Sequence, residues 1–511
     1  MIEILESRIA PAGIIDILQK GSLLMFKSQA QADGDQTLTL TATSEGGVTV
    51  EVDAGTALRF NGVLSDPGQA VAIPTFLGAA QIKLGLGNDN VNLTGIFPGN
   101  VTVDLGPGDN SLVASNSHIG GNLLFKAGTG ADTLNFAAAV NTVGGNVTVL
   151  LGAGANRVVA DSAVHAGRHV SIIAGPGDDD LNLSPADLSI AGSLLINTGA
   201  GEDAVRIDSD LNIFIGGNLT FLSAGGLGKD VVQSMDARSD LSLGGSAKFS
   251  IGAADSANQR LVGNSGVLNV GKNVTMLASK ATGFGNQVLG GQNDVRLGGA
   301  VTMIGSVTQQ AILDGRGTAD PCLLAGALKL SGHSSVFIAW SGSIVGPTTI
   351  SMSPGGNPDI TINTIGSVPT TRFFGDVTIK VASVAETTPQ IFIQSATFSK
   401  SLNIVDGAGN ATLTLNDSSV VGKFNVDAGS GNDTMQLDTP DSAADLRGAV
   451  FYGPIVLRGG AGADSFLIAT PPNTSVLTRS SFLIDGGPDT DTLTIGSNVT
   501  LASAIVQVGI P

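Results

Sequence analysis

The chain is poor in the residues that most functional classes require. It has one cysteine, Cys322, which excludes an intrachain disulfide framework. It has one tryptophan, Trp340, one tyrosine, Tyr452, and only 4% aromatic residues, too few for the stacking platforms of a single-strand nucleic-acid reader. Lys plus Arg number 25 against 43 Asp plus Glu, a formal charge of −18, so the basic stripe that a polyanion such as DNA needs is missing and no nucleic-acid partner is expected. Charged residues of either sign make up 13% of the chain. The four histidines, His118, His165, His169 and His333, form no metal-ligand spacing and read as solvated loop residues. No apolar run reaches the roughly 18 residues of a membrane helix, so a membrane-spanning chain is not expected. Residues 1–13 lack the basic start and long apolar core of a conventional signal peptide. No nucleophile elbow or Ser/His/Asp constellation is legible.

What is present is glycine, 71 residues, and a repeat. The stretch Gly121 to Phe136 shows its form. Leu123, Phe125 and Ala127 alternate with Asn122, Leu124 and Lys126, which places the first set on one face of a strand. Gly128-Thr-Gly130-Ala-Asp132 breaks the strand, and Leu134 and Phe136 resume the alternation. Copies start at Gly99, Gly145, Gly192, Gly217, Lys400, Gly422, Gly453 and Ser480. Corner glycines Gly85, Gly106, Gly128, Gly152, Gly175 and Gly199 follow each other at 21, 22, 24, 23 and 24 residues. So short a unit cannot bury its own apolar face and must stack on copies of itself. The expected fold is all-β: a parallel β-helix, or β-solenoid, right-handed because parallel crossovers are, with roughly 18 coils of roughly 21–31 residues and a length of roughly 85 Å. Val103, Phe125, Val149, Ile172, Ile196, Phe221, Phe249 and Met276 are the expected inward set.

Along the chain, residues 1–35 read as a leader or N-terminal cap and residues 36–79 as a hairpin or capping coil. Residues 80–300 carry regular Gly-x-Gly-x-Asp corners, 301–399 continue the coils with degenerate corners, and 400–511 return to regular corners and end in a strand. A domain break near 305–325 is the alternative for the middle part. Asn100, Asn122, Asn146 and Asn218 stand at one equivalent place, where stacked side chains can bond along the axis.

The fifth corner position reads Asp89, Asn110, Asp132, Asn156, Asp179, Asp203, Asp230, then Asp433, Asp464 and Asp491. Two readings stand. An Asp can accept backbone N–H bonds and cap its turn. Stacked carboxylates about 4.8 Å apart also repel unless neutralised, and calcium gathers six to eight oxygens. Where Asp alternates with Asn the repulsion is relieved, so Asp179, Asp203 and Asp230, and Asp433, Asp464 and Asp491, are the candidate calcium ligands, with Asp178, Asp180 and Glu202 beside the first group.

The corner resembles the calcium-binding glycine-rich, hemolysin-type nonapeptide of secreted toxins and proteases. In that family the nonapeptides run back to back, whereas here one corner falls in each coil of about 24 residues. Leu5 to Ala12 resembles the short leader of large repetitive bacterial surface proteins. These resemblances imply calcium as cofactor and an extracellular or cell-surface location. The expected function is a structural or adhesive surface protein, a rigid stack that self-associates through its terminal coils or contacts surface polysaccharide or another surface protein. The alternative is a carbohydrate-active β-helix enzyme, which would need carboxylates clustered on one exposed wall.

Overall fold

The computed structural model describes residues 13–29, 34–43, 45–76, 78–316, 321–354, 358–363, 371–439, 448–470 and 474–510. Residues 1–12 and 30–33 of the expected leader or cap therefore lie outside the described residues, as does Asp320 of the partial corner that begins at Gly315. Every regular element described is a β-strand, and no helix is long and apolar enough to cross a membrane. The chain divides into two compact units, Met1–Gly225 and Gly226–Pro511. Both are β-solenoids of parallel strands, about 16 turns in all.

In the first unit one wall stacks Ala79–Lys83, Val101–Asp104, Leu123–Lys126, Val147–Gly152, Val170–Ala174, Leu194–Asn197 and Leu219–Gly225, parallel and in register. The register aligns Ile82, Val103, Phe125, Val149, Ile172, Ile196 and Phe221 in one inward column. All are buried. Each fully buried side chain of this kind contributes about 1.5–3 kcal/mol relative to exposure. From the coil of Leu123–Lys126 onward, a coil adds two further strands, such as Thr133–Ala137 and Val140–Val143, which pair with their equivalents one coil away, Arg157–Ala160 and Ala163–Ala166. At the start, antiparallel pairing replaces the parallel rule. Gly13–Lys20 pairs antiparallel with Leu23–Ser28, and Thr37–Ala42 with Val48–Val52, while Thr37–Ala42 also joins Asn90–Phe97 in parallel. Residues 36–79 are thus both a hairpin and the first layer of the stack.

The second unit repeats the plan. Its wall carries the inward column Phe249, Met276, Met303, Leu330, Ile350, Ile379, Ile404, Val426, Leu457, Ile484 and Gln507. Among the described residues of 301–399 the wall continues, since Val301–Ile304 pairs in register with Leu328–Ser331, that strand with Thr348–Met352, and Thr348–Met352 with Val377–Val381. Phe373 stacks on Phe398 at 5.0 Å, and Phe424 on Phe451 at 5.3 Å. Trp340 packs in this core; Tyr452 instead stands half-exposed at a corner, with the Arg479 guanidinium 5.3 Å over its ring. The last coil, with Thr492–Ile495 and Ile505–Val508, pairs with Ser465–Ile468 and Phe482–Asp485 and leaves Ile495, Val506 and Val508 exposed.

The corner glycines have two reasons to be glycine. Gly154 has φ +139, and a Cβ there would run into the carbonyl oxygen of Gly130 one coil away; Gly130 (φ +143) stands in the same relation to Gly108. Gly154→Ala should therefore cost on the order of 3 kcal/mol by urea denaturation. Gly34→Ala, with nothing within 4 Å of the added methyl, should change stability by less than about 0.5 kcal/mol.

Candidate functional site at the stacked aspartate corners

The fifth corner residue follows a glycine of positive φ, and the alternation turns its side chain inward. Its carboxyl or amide then reaches the neighbouring coil. In the first unit the N–H of Gln36 donates to Asp89 Oδ1 (3.0 Å), Asp89 N–H to Asn110 Oδ1 (3.0 Å), Asn110 N–H to Asp132 Oδ1 (2.9 Å), and Asp132 N–H to Asn156 Oδ1 (3.2 Å). Asn156 N–H donates to Asp179 Oδ1 (3.0 Å), and Asp179 N–H to Asp203 Oδ1 (3.3 Å). In the second unit Ala411, Asp433 and Asp464 donate to Asp433, Asp464 and Asp491 at 2.7, 2.8 and 2.8 Å. Each Asp thus ties down the turn of the preceding coil, and Asp89 also accepts from Gly85 of its own corner.

The second oxygen decides the chemistry. Where the residue is Asn, the Nδ2 group in that place donates to two carbonyls of its own corner: Asn110 to Gly106 (2.9 Å) and Gly108 (2.8 Å), Asn156 to Gly152 (3.3 Å) and Gly154 (3.0 Å). Where it is Asp, an ionised Oδ2 has nothing to give. Oδ2 of Asp89, Asp132, Asp179, Asp433, Asp464 and Asp491 is buried and makes no hydrogen bond. Asp203 differs, because its Oδ2 accepts from the Thr198 and Ser223 hydroxyls, both at 2.7 Å. Burial pushes Asp89, Asp132 and Asp464 up to about 6, and Asp179 and Asp433 up to about 7, against the backbone N–H bonds that favour the charged form.

The other candidates fall outside this column. Asp178 and Asp180 flank Asp179, so alternation turns them to the surface. Asp178 accepts the Glu202 N–H at 2.9 Å, and Asp180 faces Arg206 at 3.4 Å and Arg157 at 4.0 Å. Asp230 is exposed at the start of strand Asp230–Ala237 in the second unit, because Gly225 to Lys229 form a differently spaced corner. Among the described residues no three Asp, Glu, His or Cys side chains converge on a point. A corner with Asp thus offers one free carboxylate oxygen, where calcium gathers six to eight oxygens from carboxylates and carbonyls.

Three features escaped the repeat pattern. His333 is buried, not solvated. Its Nε2 lies 2.8 Å from Gln287 Oε1, which can only accept, so Nε2 carries the proton and Nδ1 is bare and unpartnered. Gln287 Nε2 donates to Gln259 Oε1 (2.8 Å) and Gln259 Nε2 to Gln233 Oε1 (3.2 Å), a polar ladder inside an apolar core. Burial pushes His333 down to about 4. The in-register glutamines, 26 and 28 residues apart, were the available signal. Asp406, at the residue before a corner glycine, shares a small apolar-walled void with Asp433 of the next coil. Neither of its oxygens meets a donor in hydrogen-bonding geometry, and burial raises its pKa against the nearby Ser383 hydroxyl. The exposed entry column, by contrast, was legible. Asn122 N–H donates to Asn100 Oδ1 and Asn146 N–H to Asn122 Oδ1, both 2.8 Å, and His169 takes the same place in the series, its Nδ1 accepting the Ser193 N–H at 3.0 Å.

The pH dependence follows. An aspartate raised from the ordinary value near 3.9 to about 7 keeps a proton that the unfolded chain has released, so its contribution is complete below pH ~4 and is lost as pH rises through 7. Asp179→Asn should remove a stability loss on the order of 2–4 kcal/mol between pH 4 and 8, read from urea midpoints across that range. His333 runs the other way: held neutral, it favours the fold above pH ~6.5 and loses that contribution as pH falls toward 4. With one free oxygen per corner, chelation should leave the melting midpoint unchanged. A rise across millimolar calcium would assign the ion to these corners, since a ligand of the folded state alone must raise it. No protein family, curated protein or solved structure matches the chain.

Proposed function

We propose that this chain is a structural scaffold of the cell surface or extracellular space, a stack of coils that holds its outer faces at fixed spacing for contact with a partner. The observation that carries this reading is where the corner side chains spend their bonds. Carboxyls and amides that would serve a ligand are tied to backbone N–H groups of the neighbouring coil in both units. The surface location rests on the resemblance of the corner and of residues 5–12 to exported repetitive proteins.

The enzyme alternative needs paired carboxyls in an open cleft. Two roomy clefts, about 430 and 380 Å³, are lined by Lys27, Lys83 and Asp104 in one and by His118 and His165 in the other. Asp104 is the one carboxylate in either lining, and it sits 3.8 Å from Lys126; His165 is held by Asp187 at 3.1 Å. This favours the scaffold.

Two measurements test the proposal together. Incubated with neutral and acidic polysaccharides, the purified chain should release no reducing or unsaturated ends, and antibody against it should label intact cells of its source. Release of sugar ends would move the reading to the enzyme, and label confined to broken cells would remove the surface location.

A further inference from the structure

Six charged residues lie side by side on six neighbouring strands at the start of the first unit. The register places Arg59 beside Asp16, Asp16 beside Lys27, Lys27 beside Lys83, Lys83 beside Asp104, and Asp104 beside Lys126. All six are on the outward face, since Ile17, Phe26, Ile82, Val103 and Phe125 on the same strands are buried. The row therefore reads plus, minus, plus, plus, minus, plus. Strict alternation fails at one step, between Lys27 and Lys83.

The two acids are already engaged elsewhere. Asp16 takes both Arg59 Nε (2.6 Å) and Nη2 (2.7 Å), and also the Gln29 amide at 3.3 Å. Asp104 stands 3.8 Å from Lys126. Lys27 and Lys83 make no ion pair among the described residues. Like charges directly opposite on paired strands, about 4.8 Å apart, destabilise a sheet. Further along the wall the equivalent outward residues are Leu150, Ile173 and Asn197, so the coil does not need charge at this place. The unneutralised pair also stands out in a chain of formal charge −18. Lys27 and Lys83 both line the cleft of about 430 Å³, together with Asp104 and with Gly85, Leu86, Gly106 and Pro107 of two corners.

We infer that Lys27 and Lys83 form a binding site for an oxyanion, a carboxylate or phosphate group that supplies the missing negative charge in the row. The lysines are two neighbouring point charges with rotatable donors on one cleft, which suits a compact oxyanion. One source is an acidic sugar chain bearing carboxylates, and the other is free phosphate. The assignment does not depend on where the chain acts or on the scaffold reading.

Calorimetric titration of the full chain tests it, with inorganic phosphate in one arm, a uronic-acid oligosaccharide in a second and a neutral oligosaccharide in a third. At least one anion should bind and the neutral sugar should not. Tighter binding of the oligosaccharide identifies the sugar chain as the source, and binding of phosphate alone identifies the free anion. Lys27→Gln and Lys83→Gln should each weaken binding about tenfold, and the double variant should abolish it. In anion-free buffer each single variant should keep or raise the melting midpoint, because a like-charged neighbour has gone, which separates lost binding from lost folding. Failure of both anions to bind the unaltered chain, or unchanged affinity in the double variant, would overturn the site.

Discussion

Parallel stacking at about 4.8 Å forces like onto like, and this is the constraint from which the rest of the structure follows. A residue in one coil has its equivalent above and below it. For Ile, Val and Phe this is favourable, and columns such as Val103, Phe125 and Val149 close the core. For glycine it allows a backbone approach that any Cβ would block. For Asn it is favourable too, because an amide both accepts and donates: Asn156 Oδ1 accepts the Asp132 N–H of the preceding coil while its Nδ2 donates to Gly152 and Gly154 of its own corner. For Asp it is favourable only in part. The carboxylate accepts a neighbour's N–H with one oxygen and has no use for the other. Burial disfavours the charge and, with neighbouring carboxylates, lifts Asp179 and Asp433 to about 7; the proton then held makes Asp a near copy of Asn.

The polar ladders run in opposed senses, and together they fix the register of the coils. At the buried corner column an earlier coil donates to a later side chain, as Asn110 does to Asp132. One residue before it, on the exposed side, the later coil donates to the earlier side chain: Asp109 N–H to Asn88, and Ala131 N–H to Asp109. A slip of one residue would break both sets at once and turn the inward column outward. The buried glutamines of the second unit extend the same logic into a core that apolar side chains alone would leave free to slide. A buried amide without its partner costs about 1–3 kcal/mol, so the ladder penalises misregister more than it rewards register.

The repeat was legible in the sequence because period-two alternation and corner glycines are local signals. The inward column from Val103 to Phe221 and the entry asparagines follow from spacing alone. What was not legible depends on which neighbour a side chain reaches. Asp179 looks the same whether it caps its own turn or the preceding coil's. Asp178, Asp179 and Asp180 look like a cluster in sequence, yet alternation sends the outer two to the surface and the middle one inside. Asp230 matches the motif in composition, but a corner of different spacing leaves it exposed. His333 reads as a polar loop residue, and only the stacking of Gln287 from an earlier coil, 46 residues away, explains why it is buried.

A strict repeat also limits where function can reside. An inward or corner position that recurs in every coil is committed to stacking, since its side chain or backbone completes the coil beside it. A partner that reads a single place on the stack is recognised on the outer faces, where the repeat departs from itself. Most departures here have an internal explanation: Ala411 replaces a corner acid where Asp406 enters the neighbouring space, and Thr198 and Ser223 answer Asp203. The row from Arg59 to Lys126 has none. Its outer members neutralise each other, while its two central lysines face a cleft and repel across a single strand spacing. Nothing inside the stack answers that pair, and a charge drawn from outside the chain is what would balance it.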